Sequence, residues 1–301
     1  MKILMIHGYA QNSDTFQRKM RRLEERLRTT FPNTEFTWPE GTLRLRVSDI
    51  SGQGPAGSHG EPLNTLNPDL RAWFHLRYVQ DPPHGLFESL DMIAGILKRD
   101  GPFDGVVAFS QGTVLAAMVA SLLQEGGVRQ RAYEEAIRSS RDALMPYPQT
   151  FKDLQHPPLK FGILYAGRVG RTSYYDWLYE SPRIDTPFCH FVGMWDPMVD
   201  HEERDAVFAK LSSNEKSATI VHTGGHFAPT DKENNERVVD FIKRCCESGN
   251  NTRRGYNVRP SDGANGRAHS VGVRISPRTS RNISLAEWKG GLTEFPQSSL
   301  T

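Results

Sequence analysis

Gly105-Val-Val-Ala-Phe-Ser110-Gln-Gly112-Thr-Val-Leu-Ala-Ala117 joins an apolar run of strand type to an apolar run of helix type through a turn of small residues. A nucleophile elbow requires that context. Its serine sits on a sharp, strained turn, so the residues two before and two after must be small enough to clear neighbouring chain. Here they are Ala108 and Gly112. Alanine meets the size requirement while departing from the commoner glycine. Ser110 is therefore the candidate nucleophile, and the competing reading is a serine that caps the following helix.

A serine hydroxyl attacks at neutral pH only when a base takes its proton, so the reading requires a histidine downstream. His226 lies in Val221-His-Thr-Gly-Gly-His226-Phe-Ala-Pro229, a glycine-rich loop after the last expected strand and before the last expected helix. His222 competes for the role, but it ends the strand and fits local packing or hydrogen bonding. A metal site on the two is disfavoured, because Gly224-Gly225 breaks the helix that ligands four residues apart need. For the acid that orients the imidazole, Phe191-Val-Gly-Met-Trp-Asp196-Pro-Met-Val-Asp200 offers Asp196 at a strand's carboxyl end. Asp200 is the fallback, placed among acids that suit a helix N-terminus. The chain order Ser110, Asp196, His226 is that of an α/β-hydrolase. The oxyanion of acyl transfer needs backbone donors, and Gln111 N–H and Tyr9 N–H are the candidates, the latter following Gly8 after the first strand. His7 reads as a buried structural residue.

Outward from the elbow, Lys2–His7, Glu35–Trp38, Gly105–Phe109, Lys160–Tyr165, Phe188–Val192 and Ala218–His222 read as strands. Between them Thr15–Phe31, Leu86–Arg99, Thr113–Leu123, Tyr133–Ala143, Glu202–Leu211 and Lys232–Cys246 have helical period. Mostly apolar strands alternating with helices predict an α/β fold with a doubly wound, mostly parallel sheet covered on both faces. Residues 1–247 form the expected catalytic domain. Two stretches interrupt the rhythm, 41–67, rich in Gly and Pro, and 125–158, a helical pattern closed by prolines. Both are expected to shape a substrate site, surface excursions being the alternative. Trp73, Phe74, Tyr133 and Trp195 lie in or beside these and the post-strand loops. They are candidates to line a pocket for a bulky apolar acyl group, with core packing as the competing reading.

A hydrophobic content of 37%, a charged content of 24% and no apolar run near the ~20 residues a bilayer requires exclude a membrane-spanning protein. The net charge of +2 conceals an uneven distribution. Residues 248–301 carry eight Arg/Lys against three Asp/Glu, so the remainder is net acidic. That basic segment is rich in Gly, Ser, Asn and Arg, and its composition predicts a disordered tail with no nucleic-acid partner. The three cysteines, Cys189, Cys245 and Cys246, have no zinc or CxxC spacing, so neither a metal nor a disulfide framework is expected, and no cofactor is implied. The apolar run opening the sequence is ended by Gly8, too short for a signal-peptide core, and the expected location is the cytoplasm.

His7-Gly-Tyr-Ala-Gln-Asn12, Arg71-Ala-Trp73-Phe, Gly101-Pro-Phe-Asp-Gly105, Phe109-Ser-Gln-Gly112, Gly193-Met-Trp-Asp196 and Gly224-Gly-His226-Phe-Ala-Pro229 occur in this order over residues 1–246. Together they resemble the fungal family of small serine hydrolases related to the human ovarian-cancer-associated hydrolase. Members with an Ala-Phe-Ser-Gln-Gly elbow and a stretch like Lys160-Phe-Gly-Ile-Leu-Tyr-Ala-Gly167 are similar to thioesterases of fungal polyketide pathways. The resemblance implies Ser110, Asp196 and His226 as the triad. It also implies an ester or thioester substrate, with an acyl carrier protein of a polyketide synthase as the most specific partner. A general short-chain carboxylesterase and a non-catalytic small-molecule-binding protein on the same fold are the alternatives.

Overall fold

Leu4 and Ile6 point into one core and Ile3 and Met5 into another, and the same division runs across the neighbouring strand, with Val106 and Ala108 on one side and Val107 and Phe109 on the other. Strands that read as continuously apolar are thus alternating after all, each face meeting its own layer of helices. A computed structural model describes residues 1–45, 69–75, 83–141, 143–167, 173–179, 183–199, 211 and 214–247. Within them the strands are β1 (Lys2–Ile6), β2 (Glu35–Thr37), β3 (Leu43–Arg44), β4 (Arg71–Ala72), β5 (Gly105–Phe109), β6 (Phe161–Tyr165), β7 (Phe188–Gly193) and β8 (Ala218–His222). The helices are α1 (Ser13–Thr30), α2 (Leu86–Asp100), α3 (Gln111–Leu122), α4 (Val128–Ser139) and α5 (Lys232–Glu247). Six strands pair in parallel in the order β2-β1-β5-β6-β7-β8, while β3 and β4 form a separate antiparallel pair.

One core packs α2 and α3 against the sheet, and the other packs α1, through Phe16, Met20, Leu23 and Leu27, and α5, through Val238, Phe241 and Ile242. The amphipathic pattern of α1 begins where Asn12 caps it, its side chain accepting from Thr15 N–H at 2.9 Å. α3 is different, because every residue after Gln111 is buried. It runs beneath the elbow between the sheet and a short 3₁₀ stretch, Ser173–Leu178, so it has no polar face to show.

The parallel sheet with helices on both faces is the architecture expected, and the six expected strands recur with ends moved by a residue. The fourth helix needs a correction, since it spans Val128–Ser139 rather than Tyr133–Ala143. Gly126 and Gly127, both at positive φ, turn the chain directly into it. The polar run Val128-Arg-Gln-Arg hides the start because Arg129 is buried, donating to the Trp177 carbonyl at 2.9 Å and to Gln124 Oε1. The expected helix 202–211, apart from Leu211, lies outside the described residues, as do 46–67 of the first insertion, Asp200 and the segment 248–301.

Candidate active site

β5 ends at Phe109, and the chain turns through Ser110 at φ 49° and ψ −119° straight into α3. A left-handed φ on a residue with a side chain is strained, and surrounding contacts hold it. Ser110 N–H donates to the Tyr165 carbonyl at 2.9 Å, while the Ser110 carbonyl accepts from Thr113 N–H at 2.9 Å and Thr113 Oγ1 at 2.6 Å. The Ser110 side chain makes no capping bond to its helix. Its hydroxyl turns outward instead, and that removes the capping alternative.

The glycine two residues on has a measurable reason. A Cβ on Gly112 would lie 2.5 Å from the His7 carbonyl oxygen and 2.6 Å from that of Ile6, because α3 starts directly against the end of β1. Ala108, two residues before the serine, is fully buried among the core residues of the α2/α3 side. A Cβ on Gly8 would stand 2.7 Å from the Phe109 ring and 3.3 Å from Ser110 Cβ, so the loop after β1 passes closely beside the serine. Tyr9 follows in that loop, and Ala10 carries its turn at φ 54°.

His226 Nε2 lies 2.8 Å from Ser110 Oγ, and His226 Nδ1 lies 2.8 Å from Asp196 Oδ2. A carboxylate only accepts, so the network assigns the proton to Nδ1 and leaves Nε2 to accept from the serine hydroxyl. The Asp196 side chain is almost wholly shielded from solvent. Its other oxygen, Oδ1, accepts from Met198 N–H at 2.8 Å, an Asx turn across Pro197. The Phe109 ring, 5.2 Å away, packs against the imidazole.

The two loops that carry Asp196 and His226 are tied to each other. Met194 N–H donates to the His222 carbonyl at 2.8 Å and Trp195 N–H to the Gly224 carbonyl at 3.0 Å. Gly193 permits this crossing, since a Cβ there would lie 2.4 Å from the Gly225 oxygen. His222 stays out of the group, its Nδ1 accepting from Gly224 N–H at 3.2 Å and its charged form disfavoured by burial, which lowers its pKa. His7 is structural, as expected. Its Nε2 accepts from Gly41 N–H at 3.0 Å, its Nδ1 donates to the Gly8 carbonyl at 2.7 Å, and burial lowers its pKa.

The structure separates the candidate pocket residues. Trp73 has no exposed surface and donates from Nε1 to the His7 carbonyl at 2.7 Å, so it supports the loop after β1 and lines no open space. Tyr133 stands on α4 with its ring 5.0 Å from Trp177 and 6.1 Å from Tyr147, in an aromatic cluster that joins the insertion to the Ser173–Leu178 stretch. Trp195 is 72% exposed beside Asp196. Met194, Met198 and Phe227 are also exposed apolar side chains on the loops that carry Asp196 and His226, and Val221 is exposed on β8. The sequence reading missed the role of the Gln111 side chain, which binds the backbone of Trp73 and Phe74. A polar residue opening an otherwise apolar helix was the available signal. Among the described residues, no three His, Cys, Asp or Glu side chains gather as a metal site, and no helix is long and apolar enough to cross a membrane.

The family described as Serine hydrolase (FSH1) matches residues 1–238. An uncharacterized hydrolase of Schizosaccharomyces pombe is 27% identical over 250 residues, which cover 80% of this chain and 50% of that protein. This chain therefore spans about half the length of that relative. The esterase OVCA2 of Danio rerio is 26% identical over 254 residues, covering 81% of this chain and 97% of that protein. Among solved structures, Arabidopsis thaliana SOBER1 aligns with 81% of this chain and 98% of its own at a TM-score of 0.51 and 16% identity, a likeness of fold.

Proposed function

The chain belongs to the FSH1 serine hydrolase family, and from that premise we propose that it cleaves an ester or thioester through an acyl-enzyme formed on Ser110. The observation that carries this reading is the unbroken relay from Ser110 Oγ through His226 to Asp196, with both links at 2.8 Å. Ser110 Oγ attacks the acyl carbonyl while its proton passes to His226 Nε2, and Asp196 stabilises the imidazolium that results. The oxyanion receives Gln111 N–H, which opens α3 and has no acceptor within the helix, together with Tyr9 N–H from the loop beside the serine. Collapse expels the thiol or alcohol, which takes the proton from His226. Water then repeats the sequence and frees the acid.

The finer reading is a thioesterase releasing a bulky acyl chain, of polyketide type, from a carrier protein. Its support is the Ala-Phe-Ser-Gln-Gly elbow and the exposed apolar side chains of Met194, Trp195, Met198 and Phe227 on the loops that carry Asp196 and His226, since an extended apolar acyl group gains by leaving water. A general short-chain carboxylesterase is the second reading, favoured by the esterase name of the zebrafish relative. The complete relay argues against a silent binding protein. A ladder of acyl thioesters and aryl esters, from acetyl to long or aromatic acyl groups, tests the choice. The thioesterase reading expects kcat/KM to rise with apolar acyl size on thioesters, and a maximum at acetyl overturns it while leaving the hydrolase reading in place.

A further inference from the structure

Both polar ends of the Gln111 side chain are committed to one short piece of backbone. Oε1 accepts from Trp73 N–H at 2.9 Å, and Nε2 donates to the Phe74 carbonyl at 2.7 Å. Trp73 passes the restraint on, because its indole Nε1 donates to the His7 carbonyl at 2.7 Å and its ring lies 4.7 Å from that of His7. The Trp73 carbonyl accepts from Ser89 Oγ at 2.6 Å, so the same residue is anchored to α2. Arg71, two residues earlier, donates its N–H to the Gln11 carbonyl at 2.8 Å, and Gln11 Oε1 accepts from Gly8 N–H at 3.1 Å. Residues 71–74 are thus bonded on one side to Gln111 and on the other to both ends of the His7–Gln11 loop.

The two oxyanion donors assigned above belong to these two ends, Gln111 to the elbow and Tyr9 to the loop. Donors help only if both reach the same developing oxygen at hydrogen-bond distance, so the separation between their segments is a catalytic quantity. We propose that the Gln111 side chain is a positioning residue which, acting through Trp73, fixes the His7–Gln11 loop relative to the nucleophile turn and so holds the two oxyanion donors together. This rests on the acyl-enzyme reading of Ser110. The pairing also explains why an amide stands here. Glutamate would keep the acceptor for Trp73 N–H but would place a carboxylate oxygen against the Phe74 carbonyl, two acceptors with no proton between them.

The test uses the full chain with Gln111→Met, Gln111→Glu, Trp73→Phe and the double variant Gln111→Met/Trp73→Phe. An aryl ester gives kcat and KM, and an alkyl boronic acid reports the tetrahedral state. Ser110 Oγ bonds to boron and yields its proton to His226, leaving a boron-bound oxygen where the oxyanion forms. Loss of a whole oxyanion donor costs ~10²–10³ in kcat, so misplacement should cost ~10–100-fold. Gln111→Met should lose about that much kcat with KM within about threefold, and boronate affinity should fall in parallel. Gln111→Glu should lose at least as much as Gln111→Met. Trp73→Phe should show the same split, and the double variant should fall little below the worse single one, because both cut one chain of contacts. An unaltered kcat in Gln111→Met overturns the proposal, as does a loss of kcat that spares boronate affinity, or losses that multiply in the double variant. If Gln111→Met fails to fold, Trp73→Phe and its boronate affinity decide alone. Ser110→Ala run alongside separates the two readings. Turnover persisting there overturns the acyl-enzyme, whereas turnover lost there but intact in Gln111→Met overturns only the role given to Gln111.

Discussion

At Asp196 the two carboxylate oxygens have different duties, and this makes one substitution unusually informative. Oδ1 holds Met198 N–H and Oδ2 faces His226 Nδ1. In Asp196→Asn the carbonyl oxygen can keep Met198, which leaves the amide NH₂ pointing at Nδ1. The imidazole must then carry its proton on Nε2, where it can no longer take one from Ser110. Turnover should fall by up to ~10⁴ with the fold intact by circular dichroism, while Asp200→Asn should stay within a few-fold. The reverse pattern exchanges the two acids. A fluorophosphonate probe should label the wild type and not Ser110→Ala, and labelling that survives in the variant removes Ser110 as nucleophile. These candidates were legible in the sequence because each lies within four residues of the carboxyl end of a strand. Trp73 was not, since a tryptophan near a loop reads equally as a pocket wall or a core residue, and only its bond to the His7 carbonyl decides.

Among the elements, the crossing of the post-β7 and post-β8 loops and the interior of β7 itself give two further expectations. Gly193→Ala places a methyl 2.4 Å from the Gly225 oxygen, a backbone atom that cannot swing aside. The His226 loop must shift, so kcat should drop by at least ~10-fold, a displacement of about 1 Å costing up to ~10²; unchanged kinetics would show that the loops have slack. His190 on β7 is fully buried, and burial lowers its pKa to about 4. The unfolded chain, with histidine near the ordinary ~6.5, binds this proton first, so its contribution to stability is present above pH ~6.5 and is lost as pH falls toward about 4. Melting temperature should decline over that window, and less steeply in His190→Gln if the variant keeps its fold. The strands could be read as short apolar runs ended by turn residues, and α1, α2 and α5 because one face of each is apolar at the helical period. β3 and β4, two residues each, are too short to show any period, and α4 was misplaced because its first turn buries an arginine rather than a leucine.

On the scale of the whole molecule, every group assigned to catalysis falls within residues 1–247, as do both cores among the described residues. A chain ending at 247 should therefore keep its melting temperature and its turnover on an aryl ester, and aggregation or lost activity would show that residues 248–301 contribute to the catalytic domain. Ser110 and His226 meet although 116 residues separate them in sequence. The strands that lead to the proposed nucleophile and base, β5 and β8, are joined only through β6 and β7 in the sheet. Reactivity toward an active-site probe therefore reports completed assembly rather than any part of it. If Ser110 acts as proposed, a nascent or truncated chain that stops short of His226 should hold a serine as inert as one in free solution. In a refolding time course, labelling should therefore lag the recovery of helical circular dichroism and rise with the phase that completes the sheet from β5 to β8.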